Sequence, residues 1–92
     1  MPYDRVIAGK VIRKLRREKG ITQETLSGLS GIARSHLAMI ETGAKTANVE
    51  TLWKIAEALG MPLSRLIEKI EAETKWPPRG TLSTRRRFYA IA

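Results

Sequence analysis

Apolar residues recur at helical spacing along most of this chain, and short polar stretches separate the periodic segments. In the first segment, Val11, Ile12 and Leu15 fall on one face of a helix. Gly20 follows a basic last turn and is a suitable residue for ending that helix. The pattern therefore predicts a first helix over about residues 3–19.

Two short helices are predicted within residues 22–43. Pairs of apolar residues spaced by three define one face of each: Leu26 with Leu29, and Leu37 with Ile40. Gly31 lies between the pairs. Because it has no Cβ, it can adopt the left-handed backbone conformation that a tight turn between helices requires. We therefore expect two helices that meet at Gly31, the second over about residues 33–42.

Thr22 is the predicted cap of the second helix. Its hydroxyl can accept a backbone N–H at the helix start, and Glu24 in the first turn suits the positive end of the helix dipole. Ser27 and Gly28 follow in the same helix. Since both residues are small, we expect them on a face that a neighbouring helix approaches closely.

A fourth and a fifth helix complete the periodic part of the chain. Asn48 is a suitable cap for the fourth, which ends near Gly60. Its apolar face is formed by Val49, Leu52, Trp53, Ile55, Ala56 and Leu59. Trp53 is expected in the core or in a subunit contact. The fifth helix is predicted over Leu63 to Glu73, after Pro62, which fixes φ but supplies no capping hydroxyl.

The chain changes character after residue 73. Pro77 and Pro78 cannot continue a helix, and residues 74–92 end in the basic and aromatic stretch RRRFYAIA. The pattern predicts a domain over residues 1–73 and a separate basic tail over 74–92. This tail is interpreted as a flexible arm on phosphate, a short strand, or a contact with a partner subunit or protein.

The charge of the chain points to a polyanionic partner. Its 92 residues include 17 Lys and Arg against 9 Asp and Glu, which gives a net charge of +8. Such an excess favours nucleic acid first and an anionic membrane surface second. No apolar run approaches the ~18 residues of a membrane span, and the start MPYDRV lacks a signal peptide's apolar region. We expect a cytoplasmic protein that does not bind membranes.

The residue types argue against catalysis. There is no cysteine, only one histidine, no glycine-rich phosphate loop and no nucleophile with a plausible base beside it. His36, with no second histidine or cysteine nearby, is not interpreted as a metal ligand. An enzyme is therefore not expected, and no cofactor or metal is predicted.

The segment from the end of the first helix to residue 43 resembles the helix-turn-helix of the phage-repressor (Cro and Xre-like) family. The matching positions are Arg16, Gly20, Ile21, Thr22, Gln23, Leu26, Ser27, Gly31, Ile32, Leu37, Ile40, Glu41 and Gly43. This resemblance covers about residues 6–70. It implies an all-α, compact, five-helix lambda-repressor-like domain whose second and third helices form the helix-turn-helix. It also implies a transcriptional regulator that binds double-stranded DNA, with repression as the simplest mechanism.

The third helix is the predicted reader of base sequence. Leu37 and Ile40 face the core, so other side chains of this helix project outward, and those near its start would enter a major groove first. The candidate base contacts are Arg34, Ser35, Ala38 and Met39. An arginine can bond guanine O6 and N7, a serine can bond several bases, and apolar side chains can touch a thymine methyl. Alternatively, Arg34 binds phosphate, Ser35 caps the helix and Met39 packs.

Other polar residues are predicted on the DNA backbone. The candidate phosphate contacts are Thr22, Gln23, His36, Lys45, Thr46 and Arg17. The resemblance implies this role for Gln23 and for the loop that carries Lys45; a solvated surface residue is the alternative at Gln23, and a surface role is the default for His36. The family resemblance also implies that Arg16 and Glu41 form a structural ion pair between the first and third helices.

The resemblance further implies a symmetric homodimer on a near-palindromic site, with half-sites about one helical turn apart. Two alternatives remain at this point. One is a DNA-binding antitoxin whose tail contacts a cognate toxin. The other is a module that chiefly binds another protein.

Overall fold

The computed structural model describes residues 3–74, and within these residues every regular element is an α-helix. The helices are α1 Arg5–Glu18, α2 Gln23–Ser30, α3 Arg34–Thr42, α4 Val49–Ala58 and α5 Leu63–Glu73. The predicted all-α, five-helix architecture is confirmed. The predicted tail, residues 74–92, lies outside the described residues except for Thr74.

Side-chain caps set the start of three helices. The carboxylate of Asp4 accepts hydrogen bonds from the backbone N–H groups of Val6 and Ile7, so α1 begins at Arg5 and two residues later than predicted. The predicted caps at Thr22 and Asn48 each accept a backbone N–H three residues ahead. At the start of α5, Pro62 forms no side-chain cap.

A single apolar core joins all five helices. Its buried residues are Ala8, Val11, Ile12, Leu15, Leu26, Ile32, Leu37, Ile40, Ala47, Leu52, Ile55, Ala56, Leu59, Leu66 and Ile70. The helix α3 packs against α1 and α2, whereas α4 packs against α2 and α5, and α5 returns to α1. As a result, α3 lies at one side of the bundle and is supported from behind by two helices.

Three apolar residues that helical spacing placed on core-facing helix faces are exposed in the structure. Leu29 was expected on the same face as Leu26, but it is 62% exposed while Leu26 is fully buried. In this short helix the buried positions are Leu26 and Ser30. They are spaced by four, so they differ by only about 40° around the helix axis, against about 60° for residues spaced by three. On α4, Val49 and Trp53 are also exposed, and Trp53 is 54% exposed, so a core position for it is wrong.

The expectation of a close helix approach at Gly28 is also wrong. Gly28 is exposed, and a Cβ built on it would meet no atom within 4 Å. The close approach occurs instead at Gly9 of α1. A Cβ there would collide with the backbone carbonyl oxygens of Ile40 and Glu41 in α3. The absence of a side chain at Gly9 therefore lets α1 and α3 touch through their backbones.

Within residues 3–74, no helix combines the length and the apolar character that crossing a membrane requires.

Candidate nucleic-acid interface

A buried ion pair anchors the C-terminal end of α3. The guanidinium of Arg16 donates from Nε to Glu41 Oε2 at 2.8 Å and from Nη2 to Oε1 at 3.1 Å. Its Nη1 also donates to the carbonyl oxygen of Ile21 at 2.9 Å. The side chains are only 10% and 1% exposed. This bidentate contact ties α1, the start of the helix-turn-helix and α3 together in one rigid unit.

Gln23 joins the same network. Its side-chain Nε2 donates to Glu41 Oε1 at 3.0 Å, and the residue is half-buried. The solvated surface residue weighed from the sequence is therefore not what the structure has. One N–H and the carbonyl oxygen of the amide take no part in this bond, so a phosphate contact by Gln23 stays a prediction.

The turn between α2 and α3 is held by backbone hydrogen bonds. Gly31 has φ of 74°, the left-handed conformation predicted for it. The N–H groups of Gly31 and Ile32 both donate to the carbonyl oxygen of Ser27, at 2.9 and 3.2 Å. Ile32 is buried just beyond the turn. These contacts fix the orientation of α3 relative to α2.

The exposed edge of α3 carries the predicted base-contacting residues. Arg34 and Ser35 are exposed in its first turn, while Ala38 and Met39 are half-buried further along. Ala33 occupies the N-cap position and no side chain caps the helix, so Ser35 does not act as a cap. Leu37 and Ile40 are buried, as predicted from their spacing. The polar start of α3 is therefore the part most open to a ligand.

The predicted phosphate contacts lie on α1, at the start of α2, on α3 and in the loop after α3. Thr22 accepts the N–H of Thr25 at 3.1 Å, and Lys45 and Thr46 are exposed in the loop after α3. That loop is tied to the helix because the N–H groups of Ala44 and Lys45 donate to the carbonyl oxygen of Met39. His36 is half-buried on α3 itself.

Basic residues cover the outer face of α1. Its exposed cations include Lys10, Arg13, Lys14 and Arg17, which line a shallow depression together with Glu18. Arg17 is the one that was predicted to contact phosphate. A further arginine of α1, Arg5, donates from Nε to the carbonyl oxygen of Gly43 at 2.9 Å. That bond connects the start of α1 to the end of α3.

Sequence reasoning missed two contributors to this site. Gly9 lies seven positions, or about two turns, before Arg16, so both are on the face of α1 that meets α3. That spacing was a usable signal. The second is Glu24, whose Oε2 lies 3.8 Å from Nη1 of Arg34, with side chains 81% and 65% exposed. The two residues belong to different helices, and no periodicity links them.

Comparisons with known proteins identify relatives of this chain. The helix-turn-helix family HTH_3 matches residues 12–66. The uncharacterized HTH-type transcriptional regulator y4dJ of Sinorhizobium fredii is 38% identical over 63 residues, which cover 68% of this chain and 82% of that protein. The immunity repressor protein of Bacillus phage phi105 is 34% identical over 59 residues, or 64% of this chain and 41% of the repressor.

Solved structures are similar over most of the described residues. The restriction-modification controller protein C.AhdI from Aeromonas hydrophila is 38% identical with a TM-score of 0.66, over 68% of this chain and 96% of its own. A variant of the controller protein C.Esp1396I, bound to its highest-affinity operator site, is 28% identical with a TM-score of 0.64, over 76% and 97%. In both cases the similarity spans nearly the whole of the other chain.

Proposed function

The chain belongs to the helix-turn-helix family of DNA-binding transcriptional regulators, and we propose that it represses transcription by reading duplex DNA with α3. The exposed first turn of α3, a helix that the Arg16–Glu41 pair anchors near its C-terminal end, is the observation that carries this assignment. No catalytic step is involved. Its place of action is the cytoplasm, where the DNA is accessible.

Base contacts are assigned to the edge of α3. Arg34 and Ser35 stand first, because they are exposed in the turn that enters a major groove earliest. Ala38 and Met39 are half-buried, which limits them to apolar contact with a thymine methyl. A similar structure holds an operator site, which supports a duplex as the ligand of this chain as well.

Phosphate contacts are assigned around that edge. Lys45 and Thr46 follow α3 in a loop that is bonded to it, and Thr22 and Gln23 stand at the start of α2, where helix N–H groups favour an anion. Arg17 and His36 complete the assignment, from α1 and α3 respectively. These contacts would position the protein without carrying sequence information.

A symmetric homodimer is the proposed binding form. A groove between α4 and α5 is lined by Trp53, Met61, Leu63 and Ile67, and also by Glu57, Glu68 and Glu71. Trp53 is exposed. The apolar part of this groove is suited to a protein contact, since exposed apolar patches mark such sites. Since α3 packs on α1 and α2, the groove belongs to other helices and stays accessible to a second copy while α3 contacts DNA. The antitoxin and protein-module alternatives gain no support from the similar proteins, which are named as regulators, a repressor and controller proteins.

Selection of bound duplexes from a random pool tests the function. We expect an enriched near-palindrome with two half-sites whose centres lie about 34 Å apart, or one helical turn. Enrichment of a single half-site would contradict the proposed dimer but would still support base reading by α3. Enrichment of no sequence at all would overturn sequence-specific binding.

Replacing Arg34 tests the base contact. Arg34→Ala should leave the helical circular dichroism signal and the thermal midpoint unchanged, because the side chain is exposed. Binding to the selected site should weaken by about 1–3 kcal/mol, with relaxed preference at one base pair. Equal weakening on every duplex would instead identify Arg34 as a phosphate contact.

A further inference from the structure

Glu24 places a carboxylate beside Arg34, which lies in the first turn of α3, the part of the helix that is proposed to meet DNA. Its Oε2 lies 3.8 Å from Nη1 of Arg34, across the turn that joins α2 to α3. Both side chains are largely exposed, so the pair contributes little to stability. A negative charge here also opposes the approach of phosphate groups. The first turn of α2 suits a carboxylate electrostatically, as the first turn of α4 suits Glu50, but Glu24 also lies beside a candidate base contact.

The geometry of the pair leaves the reading edge of Arg34 available. A guanidinium has five N–H donors in a planar fork, and the contact with Glu24 is made through Nη1. The edge formed by Nε and Nη2 remains for a bidentate bond to guanine O6 and N7. Because Glu24 belongs to α2, its charge attracts the guanidinium toward that helix, although the separation is longer than a hydrogen bond.

We propose that Glu24 is a positioning residue that determines the specificity of Arg34. Its carboxylate holds the guanidinium toward one base-pair position and disfavours pairing of the same guanidinium with phosphate, which is alike on every sequence. This role rests on the proposed function of Arg34 as a base contact. The gain is in discrimination between duplexes, at some loss of overall affinity.

The test is a double-mutant cycle on three duplexes at one salt concentration. The variants are Glu24→Gln, Arg34→Ala and the double substitution, in the full chain. The duplexes are the selected site, the same site with the base pair read by Arg34 replaced, and a scrambled sequence. Glu50→Gln is the matched control, because Glu50 is an exposed carboxylate in the first turn of α4, as Glu24 is in α2.

Glu24→Gln should raise affinity for the scrambled duplex and reduce the preference at the Arg34 base pair, each by about two- to fivefold, the range expected for an exposed charge pair. In the Arg34→Ala background the effect on preference should disappear. Glu50→Gln should leave that preference unchanged, and neither variant should shift the thermal midpoint.

Two results would overturn this role of Glu24 without overturning the base contact of Arg34. One is an equal effect of Glu24→Gln on all three duplexes in both backgrounds, which would mean that the carboxylate contributes only net charge. The other is an unchanged base-pair preference in Glu24→Gln while Arg34→Ala still relaxes the preference at one base pair. In that case the base contact of Arg34 stands and the role of Glu24 does not. If Arg34→Ala relaxes no position, the base contact itself fails, and the role of Glu24 fails with it.

Discussion

Two arginine–glutamate pairs of the described residues differ sharply in burial. Arg16 and Glu41 meet through two hydrogen bonds with side chains 10% and 1% exposed, whereas Arg34 and Glu24 lie 3.8 Å apart and face solvent. The residue types are the same in both. The difference in burial decides what each pair can do.

The buried pair is committed to the fold. Each partner neutralises a buried charge that would otherwise be unpaired. Glu41 also accepts a hydrogen bond from Gln23, and Arg16 donates another to the carbonyl oxygen of Ile21. The exposed pair contributes little to the stability of the fold, because water can replace either partner at little cost. A ligand can therefore bind Arg34, whereas Arg16 is buried and already bonded to Glu41.

The largest expected effect comes from opening the buried pair. Glu41→Ala should lower the free energy of unfolding by about 3–5 kcal/mol, because the Arg16 guanidinium is left buried without its partner. Glu24→Ala removes the same side chain from the exposed pair and should change it by no more than about 0.5 kcal/mol. Urea unfolding of both variants measures the contrast. Similar losses in the two variants would show that burial does not decide the contribution of each pair to stability.

The next effect separates the two helical glycines. Gly9→Ala should destabilise by about 1–3 kcal/mol, since the new Cβ meets carbonyl oxygens of α3 that cannot move away singly. Gly28→Ala is the matched control. Its Cβ enters open space, so helix propensity should stabilise the protein by up to about 1 kcal/mol. The two substitutions should shift the urea midpoint in opposite directions, and shifts of the same sign would disprove the backbone contact at Gly9.

The smallest effect concerns the loop after α3. If Lys45 binds a phosphate, Lys45→Ala should weaken binding on all sequences and reduce the slope of log affinity against log salt by about 1. Lys54→Ala is the control, since Lys54 is an exposed lysine on α4. The salt dependence of binding to the selected and scrambled duplexes measures both variants. An unchanged slope for Lys45→Ala, or an equal change for Lys54→Ala, would remove Lys45 from the interface.

The amino-acid sequence by itself determined the five helices and the turn at Gly31. The caps at Thr22 and Asn48 and the left-handed glycine act within one or two turns of their own position, so local pattern was enough to place them. It also determined the family, because the matching residues stand at fixed offsets.

Tertiary structure decided which faces are covered. Leu26 is buried and Leu29 exposed although both are leucines of one short helix, and Trp53 lies outside the core, because burial depends on where neighbouring helices pack. The contact of Gly9 with α3 and the approach of Glu24 to Arg34 likewise join separate helices. Periodicity describes one helix at a time, whereas these contacts exist only once two helices have been set against each other.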